Sequence, residues 1–235
     1  MEVRSLYREP EREEIDWGAL ELIDVFRIYS SGPSETVALR GLDLRVEPRE
    51  LVAVFGPSGS GKSTMLQLAG GLDQPSAGEV RVFGRPLGRL DEDELAHYRA
   101  RDVAIVFQSG NLWPWLSARE NIALALRLAG APTARADDAL AGFGLGKRGR
   151  QRAGALSGGE QQRVAIAAAA ARRARLVLAD EPTAELDERI EEIVLDALVR
   201  LRDESDGTVV VVTHSRRVAE RADRVVELRD GRVAA

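Results

Sequence analysis

The sequence has no cysteine and only two histidines, His97 and His214, among its 235 residues. Disulfide staples and thiolate metal sites are therefore excluded, and a histidine-rich metal centre is not expected. Lysine is nearly absent too. Lys62 and Lys147 are the only two, so arginine carries the remaining positive charge. The net charge of −5 argues against broad nonspecific binding to nucleic acid, and no nucleic-acid partner is expected. One basic stretch, Lys147 to Arg152, reads as a solvated linker rather than a polyanion site. No window approaches the roughly 18 apolar residues of a membrane span. The opening residues are rich in Glu and Arg and lack the apolar stretch of a signal peptide. We expect a charged, flexible tail over 1–16 and one folded unit over 17–235. It should be cytosolic, or peripheral on the cytoplasmic face of a membrane and held there by a partner.

What is present is an ordinary globular balance, 44% hydrophobic and 30% charged, enough for a core of its own. Alternation predicts strands at 20–25, 37–46 and 79–83, which look antiparallel, with a loop at Ser30–Ser34. Continuous apolar runs at 51–55, 103–107, 175–180 and 208–213 read as buried strands. Helices are expected over 62–72, 91–99, 118–129, 133–140, 158–173, 188–203 and 216–222. Asp230-Gly231 reads as the turn of a closing hairpin. Strands and helices alternate from residue 51 onward, which predicts a mostly parallel sheet flanked by helices. The almost entirely helical stretch 110–173 interrupts that alternation. The fold class is thus α/β, a mostly parallel-sheet core with an antiparallel β subdomain near the N-terminus and an inserted α-helical subdomain.

Gly56-Pro57-Ser58-Gly59-Ser60-Gly61-Lys62-Ser63-Thr64 fits the phosphate-loop pattern, follows a buried strand and opens a helix. Its glycines let backbone N–H groups turn toward phosphates, and the helix start adds its positive end. Lys62 should meet the β- and γ-phosphates, and Ser63 should offer its hydroxyl to Mg²⁺. Asp180 ends an apolar run, where a carboxylate is placed to hold Mg²⁺; the adjacent Glu181 is the candidate to polarise an attacking water. A second element lies almost a hundred residues downstream. Ser157-Gly158-Gly159-Glu160 has capping-box spacing, yet two glycines in a first helical turn cost about 1 kcal/mol each. Such a start suits an anion site facing the phosphates of a second subunit. His214, at a strand end, is placed to contact the γ-phosphate, and Gln108, at another, to reach Mg²⁺. Tyr29 either stacks on a base or packs. Trp113-Pro114-Trp115-Leu116 is either core or an anchor for a partner helix. His97 reads as a surface helix residue.

Together these stretches resemble the ATP-binding subunit of ABC transporters over about residues 20–231. The carriers are the Walker A loop 56–64, the Q-loop Gln108, the signature Leu156 to Gln161, and the Walker B run Leu176 to Glu181. The D-loop around Leu186-Asp187 and the switch His214 complete the set. A narrower likeness is to lipoprotein-releasing and macrolide-exporter ATPases, through 29–39, Gly70-Gly71-Leu72-Asp73 and 107–112. The resemblance implies ATP and Mg²⁺ as cofactors and a head-to-tail dimer, a homodimer in the simplest case. Each ATP would lie between Lys62 of one subunit and Ser157–Gly159 of the other. A separate membrane permease is implied as partner, contacted near Trp113 and Trp115. The chain departs from the family at Ala168, where Arg is usual, at Ala184-Glu185 before Leu186, and at Ser215, where Asp is common. DNA- or ribosome-acting relatives usually carry paired cassettes or a coiled-coil insertion, and P-loop kinases or GTPases have no use for the 156–161 motif.

Overall fold

The computed structural model describes residues 17–32, 34–184, 186–205 and 207–234. The expected tail 1–16 and Glu185 of the D-loop departure lie outside the described residues. Among the described residues ten strands and seven α-helices follow one another, with short 3₁₀ turns between some of them. In chain order they begin with β1 (Leu20–Ser31), β2 (Ser34–Val46), β3 (Leu51–Phe55), α1 (Lys62–Ala69), β4 (Ala77–Val82) and β5 (Arg85–Pro86). The middle comprises α2 (Glu92–Arg101), β6 (Val103–Val106), α3 (Ala118–Leu128), α4 (Arg135–Gly142) and α5 (Gly158–Arg172). The chain closes with β7 (Leu176–Asp180), α6 (Glu188–Ser205), β8 (Thr208–Val212), α7 (Arg216–Arg221), β9 (Arg224–Arg229) and β10 (Arg232–Val233).

Two sheets form. One is antiparallel, ordered β2-β1-β4-β5; the other has the order β10-β9-β3-β8-β7-β6 and is parallel except for the closing hairpin. The six-stranded sheet is buried on both faces, which is why its inner strands read as unbroken apolar runs. Side chains of a strand alternate between faces. Ala53, Val177, Ala179, Val209 and Val211 therefore pack with α3, α5 and α6. Val52, Val54, Leu178, Val210 and Val212 pack with α1 and the antiparallel sheet. The inserted helices α3 to α5 build on the first of these two cores.

The helix bounds follow local chemistry. Ser117 caps α3, Asp91 caps α2 and Ser157 caps α5, each through a complete capping box. Helix α1 stops at Ala69 rather than at 72, because Gly71 turns into the left-handed region (φ 62°). The expected loop at 30–34 is instead the tight end of a long hairpin, with Ser31 paired to Ser34. Asp230 and Gly231 both have positive φ, the geometry of a two-residue hairpin turn. The stretch 144–155 is more than a linker, since Leu145 and Ala153 are fully buried.

Candidate functional site

Four neighbouring parallel strands end level with one another. Val54 lies beside Val212, Val212 beside Asp180, and Ala179 beside Val106. The segments that leave these tips are the glycine loop after β3, Thr213-His214 after β8, Glu181 after β7 and Phe107-Gln108 after β6. Carboxyl ends of parallel strands are where open α/β sheets bind ligands. A cleft of about 670 Å³ opens there, of a size for a nucleotide-class ligand. It is lined by Gly56 to Gly59, Gly61 to Thr64, Gln108, Asp180, Glu181 and His214, and by Thr36 to Ala38 of β2. The β2 lining lies in the stretch 29–39 but carries no phosphate-binding pattern, so its place in the cleft was not expected from the sequence.

The glycine loop is a tight piece of backbone. Gly61 caps α1 with φ 100°, and a Cβ there would sit 2.6 Å from the Ala38 carbonyl oxygen. A Cβ on Gly56 would sit 2.1 Å from the Leu228 carbonyl oxygen. Lys62 Nζ donates to the carbonyl oxygens of Gly56 and Pro57, both at 2.8 Å. An ammonium has three donors, so one is left for a ligand in the cleft. Ser60 does not line the cleft; it is buried beneath the loop, where its carbonyl accepts from the Gly231 N–H at 3.0 Å. The closing hairpin thus supports the loop from behind, a role that the sequence did not advertise.

Ser63 Oγ donates to Asp180 Oδ2 at 2.8 Å. Burial raises the Asp180 pKa and Glu181 adds to the rise, while the Ser63 bond and Lys62 oppose it. Glu181 has a positive φ of 47°, a strained state for a non-glycine residue, and its N–H is held by the Val212 carbonyl at 2.8 Å. That turn aims its carboxylate along the strand tips, where Oε1 meets His214 Nδ1 at 2.8 Å. The His214 ring is mostly exposed and faces the cleft. Ser215 Oγ donates to Glu191 Oε1 at 2.7 Å, so a carboxylate from α6 supports this turn where the family usually has Asp at 215.

The signature residues stand elsewhere. Ser157 and Gly158 are exposed, and Ser157, Gly158, Gly159 and Glu160 are absent from the lining of their own chain's cleft. Glu160 Oε2 accepts from the Ser157 N–H at 3.0 Å, and its Oε1 pairs with Arg148 at 2.9 Å. Backbone and hydroxyl donors from Ser157, with Arg148, hold the Glu160 carboxyl below its ordinary pKa. Arg148 therefore belongs to the helix start, beyond the solvated linker role first read for 147–152. Asp187 is exposed and caps α6, accepting from the Ile190 N–H at 3.0 Å. Tyr29 does not line the cleft: its hydroxyl donates to Asp73 at 3.0 Å, and Arg27 covers one ring face. Trp113 and Trp115 are 52% and 62% exposed, their rings 5.1 Å apart, so the core alternative is set aside. Ala168 is buried on α5.

The residues fit a nucleotide with a divalent cation. A hydroxyl and a carboxylate beside amide-lined glycine turns are oxygen donors suited to Mg²⁺. Among the described residues no cluster of three or more acidic, His or Cys groups exists, so phosphate and water oxygens would complete the shell. Fold and site together define the class: a P-loop nucleotide-binding domain carrying a helical insertion and a second, outward-facing helix start opened by two glycines. Residues 39–184 match the family model for ABC transporters. A lipoprotein-releasing system ATP-binding protein of Rhodospirillum rubrum is 46% identical over 221 residues, 92% of this chain and 98% of that protein. A macrolide export ATP-binding/permease protein of Azoarcus is 45% identical over 92% of this chain but only 33% of its own length. The chain thus spans about a third of the macrolide-export relatives that it matches. A solved dimeric ATP-binding cassette, MJ0796, in a post-hydrolysis state with ADP and Pi, superposes with a TM-score of 0.88 at 40% identity; the match covers 92% of this chain and 97% of that one. The chain belongs to the ABC transporter family.

Proposed function

We propose that this chain is the ATP-hydrolysing subunit of an ABC transporter, working as a head-to-tail dimer around two ATP molecules. One observation carries the reading. The cleft brings Lys62, Ser63, Gln108, Asp180, Glu181 and His214 together, while the signature helix start lies outside it and open to solvent. A second copy is the natural source of the missing wall, and MJ0796 is described as dimeric. The sandwich would be symmetric, each copy giving Gly56–Thr64 to one ATP and Ser157–Glu160 to the other, with Asp187 at the interface.

Within each cleft, the loop amides and Lys62 would bind the β- and γ-phosphates. Ser63, Asp180 and Gln108 would hold Mg²⁺, which supplies charge neutralisation on the phosphate oxygens. Glu181 accepts the proton of the attacking water, and His214, bonded to it through Nδ1, fixes its orientation near the γ-phosphate. Phosphoryl transfer asks mainly for positioning and charge stabilisation, and strand tips locked in register provide both. Tyr29 can serve adenine only through the ring face that Arg27 leaves open. Binding closes the dimer and hydrolysis reopens it, so the chemistry gates a motion.

That motion needs a membrane partner. Among the described residues no helix is long and apolar enough to cross a membrane. The partner is a permease, and the named relatives include an ATP-binding/permease protein. Its contact would lie at Trp113 and Trp115, which follow Gln108 closely and whose exposed rings suit a partner helix. The chain would then sit peripherally at the cytoplasmic membrane face. Purified Glu181→Gln should keep ATP binding, lose hydrolysis by about 10²–10⁴-fold and accumulate as an ATP-bound dimer. Turnover at the parental rate would overturn the role of Glu181.

A further inference from the structure

Helix α5 runs along the edge of the sheet at β6, which among the described residues is the last strand in the order and pairs with β7 alone. Two side chains strap the helix to that edge. Gln162, buried, donates from Nε2 to the Phe107 carbonyl at 3.2 Å, and Asn111 bridges the same pair. Ten residues on, Arg172 Nη2 donates to three carbonyl oxygens: Arg99 at 3.0 Å, Ala100 at 2.7 Å and Val103 at 2.8 Å. Ten helical residues rise about 15 Å, and the strand from Val103 to Phe107 spans about 13 Å. The two straps therefore meet the two ends of β6.

The Arg172 strap is the stronger. The Arg99 and Ala100 carbonyls belong to the last turn of α2, which lacks intrahelical donors, and the Val103 carbonyl faces the open sheet edge. Donation by a cation to such groups is the strong kind of hydrogen bond. Among the described residues no carboxylate pairs with Arg172, and burial alone lowers its pKa. A mostly buried guanidinium without a counter-ion is expensive, so the three carbonyls are what hold it there. Ala165, Ala168 and Ala169 leave room for the side chain on this face, beside a cavity of about 190 Å³.

We propose that Arg172 is a positioning residue of the nucleotide sandwich. It locks the far end of the signature helix to the sheet edge and so sets the angle at which Ser157–Gly159 meet the other copy's ATP. This role rests on the reading that those residues act in trans. The 15-residue helix is a lever about 22 Å long. A tilt of about 5° at Arg172 moves the signature amides by about 2 Å, far outside hydrogen-bond tolerance. Gln108 sits next to Phe107, so the same helix also registers the Mg²⁺-side loop against the signature.

The test uses the full chain with Glu181→Gln, comparing Arg172→Met, Arg172→Lys and the blocking variant Ser157→Phe. Fluorescent-ATP affinity at low protein concentration reads the isolated cleft, and sedimentation reads the ATP-driven dimer. Arg172→Met should keep cleft affinity within about twofold and weaken the dimer about tenfold or more, with Arg172→Lys in between. A merely structural role would lower both together, and that outcome overturns the proposal. So does parental dimer affinity in Arg172→Met while Ser157→Phe abolishes the dimer. Should Arg172→Met fail to fold, parental dimer affinity in Arg172→Lys is the overturning result. If Ser157→Phe dimerises like the parent, the trans reading itself falls, and this role with it.

Discussion

Replacing Gly231 by alanine should damage a phosphate loop 170 residues away in sequence. Gly231 has φ +76°, and an added Cβ would lie 2.6 Å from the Ala38 carbonyl oxygen and 2.9 Å from Leu39 Cα. Both are backbone atoms of β2 and cannot swing aside. The hairpin turn must move by roughly half an ångström or more to reach ordinary separation. That shift disturbs two bonds at 3.0 Å, from the Gly231 N–H to the Ser60 carbonyl and from the Arg40 N–H to the Gly231 carbonyl. Each is worth about 1 kcal/mol net, and the left-handed conformation costs alanine about 1 kcal/mol more. The expected loss is about 3 kcal/mol, or roughly 6–12 °C in melting temperature for a domain of this size. Gly130→Ala is the control. Gly130 also has positive φ (+70°), but its Cβ would meet only an Arg101 side-chain atom, at 4.0 Å. It should lose only the conformational part, about 1 kcal/mol. Calorimetry would compare the two, and fluorescent-ATP titration should show weaker binding for Gly231→Ala alone. Equal melting temperatures with equal ATP affinities would refute the reasoning that the hairpin props the loop.

Lys62→Met should leave the fold intact and lower ATP affinity by about 10-fold or more, since it removes the loop's single cationic donor; equilibrium titration reads this. Ser63→Ala should raise the Mg²⁺ concentration needed for half-maximal hydrolysis while Mg²⁺-free nucleotide binding changes little. Trp113→Ala with Trp115→Ala should cost permease association about 2 kcal/mol or more, measured by co-purification with the permease, at unchanged ATP affinity. Equal loss of both properties would return the two rings to a structural role.

Much of this molecule was legible in the chain because its information is local. Apolar runs mark strands buried on both faces. Ser117 and Ser157, each with Glu three residues on, mark helix starts, and Asp230-Gly231 marks a hairpin turn. Gly56 to Thr64 reads as a phosphate loop because strand, glycines and helix start lie in one short stretch. Element ends were less legible, as at Gly71, where a turn and not hydrophobic period stopped α1. What the local pattern cannot encode is which strands become neighbours. The order β3-β8-β7-β6 puts Ser63 on Asp180 and Glu181 on His214, pairs separated by 117 and 33 residues. Only the assembled sheet makes them meet. Tertiary packing also decided that Gly231 underlies the phosphate loop, that Arg172 clamps the signature helix, and that Tyr29 turns to Asp73 outside the cleft. Spacing along a chain sets what one helix or strand can present. Where two such elements lie against each other is settled by the burial of their shared faces, which no single stretch of residues records.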